Sequence, residues 1–342
     1  MNEAPPSRRT GPSAQAPATP PLPEAPAFAG ATAAAVPGAG FGDPKILGAF
    51  LLASLIWGST WIVIVDQLGG GGSGAVAPSW SVAYRFAIAS AAMFLYAGWA
   101  GAGLRIGRRG HALALLFGLP QFFLSYNLVY AAERYVTSGL VAVVFALMIV
   151  PNAGLARLFL NQPVSRPFLL GSAAAMAGIA LLFLQELSAG GSVRGEALLG
   201  IGLAVLAMLA SSASNIVQAS TPMQGRPIAA MLAWGMLYGA LADAIAAWAL
   251  FGPPTVESRL GYWIGLFYLG LVASALAFAL YFKVLRAVGP ARAAYAGVLI
   301  PILAMLLSTV FEGYRWTSLA LAGGALAVVG LVVALAARRP RA

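Results

Sequence analysis

The sequence predicts an all-α integral membrane protein in which ten transmembrane helices form two inverted five-helix repeats. Composition is the first observation behind this. Of 342 residues, 60% are hydrophobic and only 9% charged, and the mean hydropathy is +0.85. A soluble domain needs roughly a quarter of its residues charged. The second is run length. The apolar residues fall in stretches long enough to cross a hydrocarbon core about 30 Å thick. Backbone facing lipid must satisfy its polar groups internally, so each stretch is a helix and not a strand. The third is self-similarity between the two halves of the chain at a shift of 152 residues.

The elements follow in order. Residues 1–44 are rich in Pro, Ala and Gly, as in Ala4-Pro5-Pro6 and Pro20-Pro21-Leu22-Pro23. With no periodic apolar face they read as a disordered cytoplasmic N-terminal tail. Arg8 and Arg9 are not followed by the apolar core of a signal peptide. Spans are expected at 45–66, 79–100, 111–132, 136–156 and 166–187, which make the first repeat, 45–187. A second set at 196–219, 227–251, 260–282, 290–311 and 316–337 makes the second repeat, 196–337. A basic tail, 338–342, closes the chain. The run Gly69-Gly70-Gly71-Gly72-Ser73-Gly74 reads as a flexible connection.

Charge sets the orientation. With the N-terminus in the cytoplasm, 15 of the 20 basic residues fall on the inner side, four fall outside, and Arg85 lies within a span. The positive-inside rule then places both termini in the cytoplasm, which requires an even number of spans. The expected location is the bacterial inner membrane. The net charge of +10 is explained by these loops and does not indicate nucleic-acid binding. There are no cysteines, and the single histidine, His111, has no ligating neighbours, so no metal and no cofactor are expected. Phosphate-cradling GxxxxGK[ST], HExxH and serine–histidine arrangements are absent, so the chain is not expected to be an enzyme.

The repeat is visible residue by residue. Val136 falls on Val288, Phe159 on Phe311, Gly171 on Gly323, and Gly178 on Gly330. Five spans per half turn the second copy upside down, the arrangement that lets one site face either side in turn. The glycines of the fifth and tenth spans, with Gly324, predict close helix packing.

Ala53-Ser54-Leu55-Ile56-Trp57-Gly58-Ser59-Thr60-Trp61 in the first span and Tyr84-Arg85-Phe86 in the second resemble the drug/metabolite transporter superfamily, in its EamA-type branch. So does Leu285-Arg286-Ala287-Val288-Gly289-Pro290-Ala291-Arg292-Ala293, followed by Pro301 and Glu312. The first half departs from the family pattern, with Asn161-Gln162-Pro163 where an acidic residue often stands and Pro151 displaced from the position matching Pro301. The resemblance implies an exporter of amino acids, related small metabolites or drug-like compounds. It also implies a central cavity between the repeats and peripheral fifth and tenth helices that flank it without lining it.

Polar groups inside spans are costly and mark functional candidates. Arg85 suits a carboxylate or phosphate. Asp243, at a similar depth, is a candidate for a coupling proton or a cationic group, and the two could instead form a structural ion pair. Helices that the resemblance places around the cavity add Trp57, Ser59, Thr60, Trp61, Gln121, Ser125, Tyr126, Asn127, Asn152, Asn215, Gln218, Trp234, Tyr238 and Tyr295 as substrate-binding candidates. Trp80, Trp99, Tyr262, Trp263 and Trp316 fall at span ends and read as interface anchors. The expected partners are a small-molecule substrate, membrane lipid and a coupling proton, with the chain acting as a monomer or homodimer. The competing reading is a ligand-binding membrane sensor or a channel without active transport.

Overall fold

The computed structural model describes residues 43–69, 76–160, 164–188, 194–223, 225–288 and 296–336. The N-terminal tail up to residue 42, the linker beyond Gly69, Asn161-Gln162-Pro163, Tyr295 and the basic tail lie outside the described residues. Within them, every regular element is helical. Helix α1 spans Pro44–Gly69 and α2 spans Pro78–Trp99. Helix α3 (Gly107–Gly118) passes through a π-helical turn, Leu119–Ser125, into α4 (Tyr126–Ala132). There follow α5 (Ser138–Ala146), α6 (Ile149–Leu160), α7 (Arg166–Ser188), α8 (Arg194–Ala219) and α9 (Ile228–Phe251). Helix α10 (Leu260–Phe267) passes through a second π-helical turn, Tyr268–Leu276, into α11 (Ala277–Val288). Helices α12 (Ala296–Phe311) and α13 (Ser318–Ala336) complete the bundle.

Local chemistry fixes the ends. Pro78 starts α2, where a missing N–H costs nothing, and Gly252, at φ +82°, stops α9. Among the described residues, seven helical stretches are long and apolar enough to cross a membrane, and three shorter apolar ones lie at Arg166–Leu182, Ala296–Phe311 and Ser318–Ala334. Leu95, Leu170, Leu250 and Val310 point outward from the bundle, a distribution that a lipid environment accommodates and water does not.

Packing is ordered by small residues. Helix α7 lies against α13 so closely that a Cβ on Gly171 would sit 2.4 Å from the Ala334 nitrogen. The same holds for Gly330 against Ala175. Gly324 takes no part in this contact; its nearest neighbour beyond its own helix is Trp316. Helix α2 lies along α9, α1 lies against α12 and α11, and α8 lies against α4, α5 and α6. Gly118 meets the Gly235 backbone where α3 crosses α9. At the span ends, Trp99 is exposed, while Trp80 and Tyr262 are buried in protein. Tyr262 shares a 2.8 Å hydrogen bond with Ser81, so these two rings seal helix contacts and do not face the membrane interface.

Candidate functional site

A cavity of about 430 Å³ lies at the centre of the bundle. The first π-helical turn lines it, and the second holds Trp57 and Arg85 of its wall. A π turn shifts the hydrogen-bond register and re-aims side chains, a device frequent at functional sites. In the first turn Pro120 has no N–H to give, and the following residues turn toward α8. Gln121 donates to the Ser211 hydroxyl at 3.1 Å, and the Ser125 and Ser211 hydroxyls are 2.8 Å apart. In the second turn the Ala273 carbonyl accepts a 3.0 Å hydrogen bond from the Trp57 indole. Ser274 donates to Leu269 O at 2.8 Å and receives Arg85 Nε at 3.4 Å.

Arg85 is the charged group of the lining. Its guanidinium carbon stands 4.5 Å from the Tyr126 ring centre and 5.5 Å from that of Phe86, both within cation–π range. The residue is 1% exposed, and its Nη1 has no hydrogen-bond partner. Among the described residues, no acidic side chain lines the cavity with it. The remaining wall combines aromatic, amide and hydroxyl side chains with aliphatic ones such as Ile64, Val129 and Ile149. Trp57 packs against Phe278 and Tyr281 with ring centres 5.4 and 5.1 Å away, and Trp61 lies 5.3 Å from Phe145. The Trp61 indole N–H is buried without a partner. Asn152 accepts from Ser212 at 2.7 Å, while Asn215 and Gln218 donate weakly to Met148 and Ser214. The lining runs from Arg85, Ile64 and Val129 to Gln218, Tyr281, Ala296 and Gly297.

The structure therefore brings together Trp57, Thr60, Trp61, Arg85, Gln121, Ser125, Tyr126, Asn152, Asn215 and Gln218. It places Ser59, Asn127, Trp234 and Tyr238 elsewhere. Ser59 shares a 2.6 Å hydrogen bond with Tyr268. Trp234 and Tyr238 flank His111, whose Nδ1 is 2.7 Å from the Tyr238 hydroxyl. Asp243 does not line the cavity and forms no ion pair with Arg85. Its Oδ1 accepts from Asn127, which in turn accepts from Ser79 at 2.7 Å, while Oδ2 is buried without a partner. Helix α13 was expected to stay clear of the cavity, yet it contributes Leu331.

Sequence reasoning missed Glu133. It ends α4 as its C-cap, one residue past the expected span. Its side chain is nevertheless buried, with both carboxylate oxygens unpartnered. Tyr126, Tyr130 and Glu133 recur at the spacing of one helix face, which was the available signal. Burial first, then the Glu312 charge, holds the Glu133 carboxyl well above the usual carboxylate range, while Arg85 pulls it the other way. Glu312 itself caps α5, accepting from the Ser138 backbone N–H at 3.1 Å and from the Ser138 hydroxyl.

A helical bundle around a central cavity, with lipid-compatible outer faces, is the architecture of a multi-pass membrane protein. The EamA-like transporter family model matches residues 44–184 and again 198–336. The chain belongs to that family, and with it to the drug/metabolite transporter type. A solved structure titled only as a crystal structure of a protein is similar in fold, with a TM-score of 0.59 at 18% identity. The match covers 84% of this chain and 96% of that one. No curated protein matches the chain.

Proposed function

We propose that this protein is a secondary transporter that exports small solutes by alternating access around the central cavity, from among amino acids, related metabolites and drug-like compounds. The observation that carries this is Arg85: a buried guanidinium with an unpartnered Nη1, in a cavity lined by no acidic side chain among the described residues. A planar guanidinium recognises a carboxylate through paired hydrogen bonds, and the Trp57, Phe278 and Tyr281 wall receives an apolar or aromatic body. Within the exporter's range the preferred solute is thus an organic carboxylate.

Ten spans in two inverted five-helix repeats account for the packing. Helix α1 lies against α12 and the α10–α11 span, and α8 lies reciprocally against the α5–α6 span and the α3–α4 span. The two π-helical turns fall in the third and eighth spans of that scheme. With both termini in the cytoplasm of a bacterial cell, the cavity runs toward the cytoplasmic ends of α8 and α12. The outer end is closed by the Tyr130–Gln67 and Ser138–Glu312 contacts.

The test is transport in proteoliposomes, with labelled carboxylates, amino acids and cationic drugs, with and without an imposed proton gradient. Gradient-dependent flux of carboxylates supports the reading. Binding without flux of any solute overturns it in favour of a sensor, and flux of cations alone removes Arg85 from the binding role.

A further inference from the structure

The buried carboxylate of Glu133, at the end of α4 one turn beyond Tyr130, is not among the residues lining the cavity, and the proposed function leaves it without a task. Its side chain is 8% exposed, and neither oxygen has a hydrogen-bond partner. An ionised carboxylate is not left bare in a protein interior without large cost. It therefore has two tolerable states: ionised under the field of a nearby cation, or protonated. The nearby cation is Arg85, whose charge Glu133 feels across the Tyr126–Tyr130 face of α4. Tyr130, one turn before Glu133, also interacts with Arg85 and donates to Gln67 Oε1 at 2.7 Å. The Gln67 Nε2 beside it is buried and unpartnered.

The charged and titratable surroundings are few. From the end of α12 comes Glu312, whose carboxylate already serves the start of α5. From α8, Glu196 is exposed, as is the adjacent Arg134. From α10, Tyr262 is engaged with Ser81. Among the described residues, Arg85, from α2, is the one buried cation acting on Glu133.

We propose that binding of an organic carboxylate in the cavity is linked to uptake of one proton by Glu133, because the two negative groups compete for the single Arg85 guanidinium. An anion seated on Arg85 neutralises the charge that favours ionised Glu133, and Glu312 then opposes ionisation unanswered. Glu133 takes a proton from solvent and becomes a neutral carboxyl. Anion and proton thus enter together as an electrically neutral pair. By reciprocity, a proton already on Glu133 strengthens anion binding by the same factor. This rests on the reading of Arg85 as the anchor of the solute carboxylate. It assigns the coupling proton to Glu133 and not to Asp243, which is bonded to Asn127 away from the cavity.

The experiment uses the full-length protein in detergent, with 3-phenylpropionate as probe and a pH indicator in weak buffer, from neutral to alkaline pH. Calorimetry on the same samples reports binding. Wild type should take up close to one proton per probe bound, and its Kd should rise with pH, approaching tenfold per pH unit where Glu133 titrates. Glu133→Gln should bind the probe with no proton uptake and with a pH-independent Kd, and Asp243→Asn should keep the uptake of wild type. Probe binding by wild type without proton uptake and with a flat Kd overturns the linkage while leaving the carboxylate reading intact. Loss of uptake in Asp243→Asn with retention in Glu133→Gln moves the proton to Asp243 and overturns the assignment. Absence of saturable probe binding in folded wild type overturns both readings together. The wild-type pH dependence decides the matter even if Glu133→Gln does not fold.

Discussion

The Arg85 guanidinium stands over the Tyr126 ring, 4.5 Å from carbon to ring centre, and both residues line the cavity. Ser274 accepts from the Arg85 Nε at 3.4 Å, and Nη1 is buried without a partner. Removing this group removes a charge-assisted contact worth about 1.5–3 kcal/mol. Arg85→Ala should therefore weaken 3-phenylpropionate binding by about 10- to 150-fold. Arg85→Lys, which keeps the charge and loses the planar fork, should recover only part of it. Isothermal titration of both variants decides this, and equal affinity in Arg85→Ala and wild type would remove Arg85 from the site.

Glu133 also shapes stability. Its folded-state pKa is raised above the ordinary value by burial and by Glu312. A raised acid contributes stability that is fully present below the unfolded carboxylate pKa and is lost as pH rises toward the folded one. Detergent-solubilised wild type should lose thermal stability as pH rises from the carboxylate range upward. Glu133→Gln, neutral throughout, should lose less over the same window. Thermal unfolding followed by tryptophan fluorescence tests this, and parallel curves for the two proteins would mean that Glu133 is solvated or paired in the membrane-embedded protein.

How much of this was legible in the sequence follows from the kind of signal each residue leaves. Helix positions came from long apolar runs, a strong signal, and the close α7–α13 contact came from Gly171, Gly178, Gly323 and Gly330. Arg85 was visible because a charge inside an apolar run is rare. Which face a polar residue presents was not legible. Tyr126 and Asn127 are adjacent, yet one lines the cavity and the other turns to Asp243. The two π-helical turns advance the register by a residue that no periodicity count predicts. Glu133 was missed because a helix end in sequence is not the end of burial in space, and α4 stays packed against α8.

Trp57 joins the second π-helical turn to α1 by donating to the Ala273 carbonyl at 3.0 Å, while its ring packs on Phe278 and Tyr281. Trp57→Phe keeps most of the aromatic surface and leaves that carbonyl without its donor, at a cost of about 1–3 kcal/mol. Trp57→Ala removes the ring as well. Thermal stability should fall in both, and probe affinity should fall further in Trp57→Ala than in Trp57→Phe. If the two variants bind the probe alike, the ring supports the fold and does not contact the solute.

The closest helix contact gives the sharpest structural test. A Cβ on Gly178 would lie 2.3 Å from the Ala327 nitrogen and 2.5 Å from the Gly323 oxygen. Both are backbone atoms within a helix, so no side-chain rotation relieves the clash, and α13 must move away from α7. Overpacking of this kind costs about 1–3 kcal/mol. Gly48, on α1, has nothing within 4 Å of the same added atom, so Gly48→Ala should stay within about 0.5 kcal/mol of wild type. Gly178→Ala should lower the unfolding temperature in detergent and release α13 to protease sooner than Gly48→Ala does. Leu331 of α13 lines the cavity, so the same variant should also weaken probe binding, though less than Arg85→Ala. Unchanged melting of Gly178→Ala beside Gly48→Ala would mean that α7 and α13 are not held backbone to backbone in the membrane.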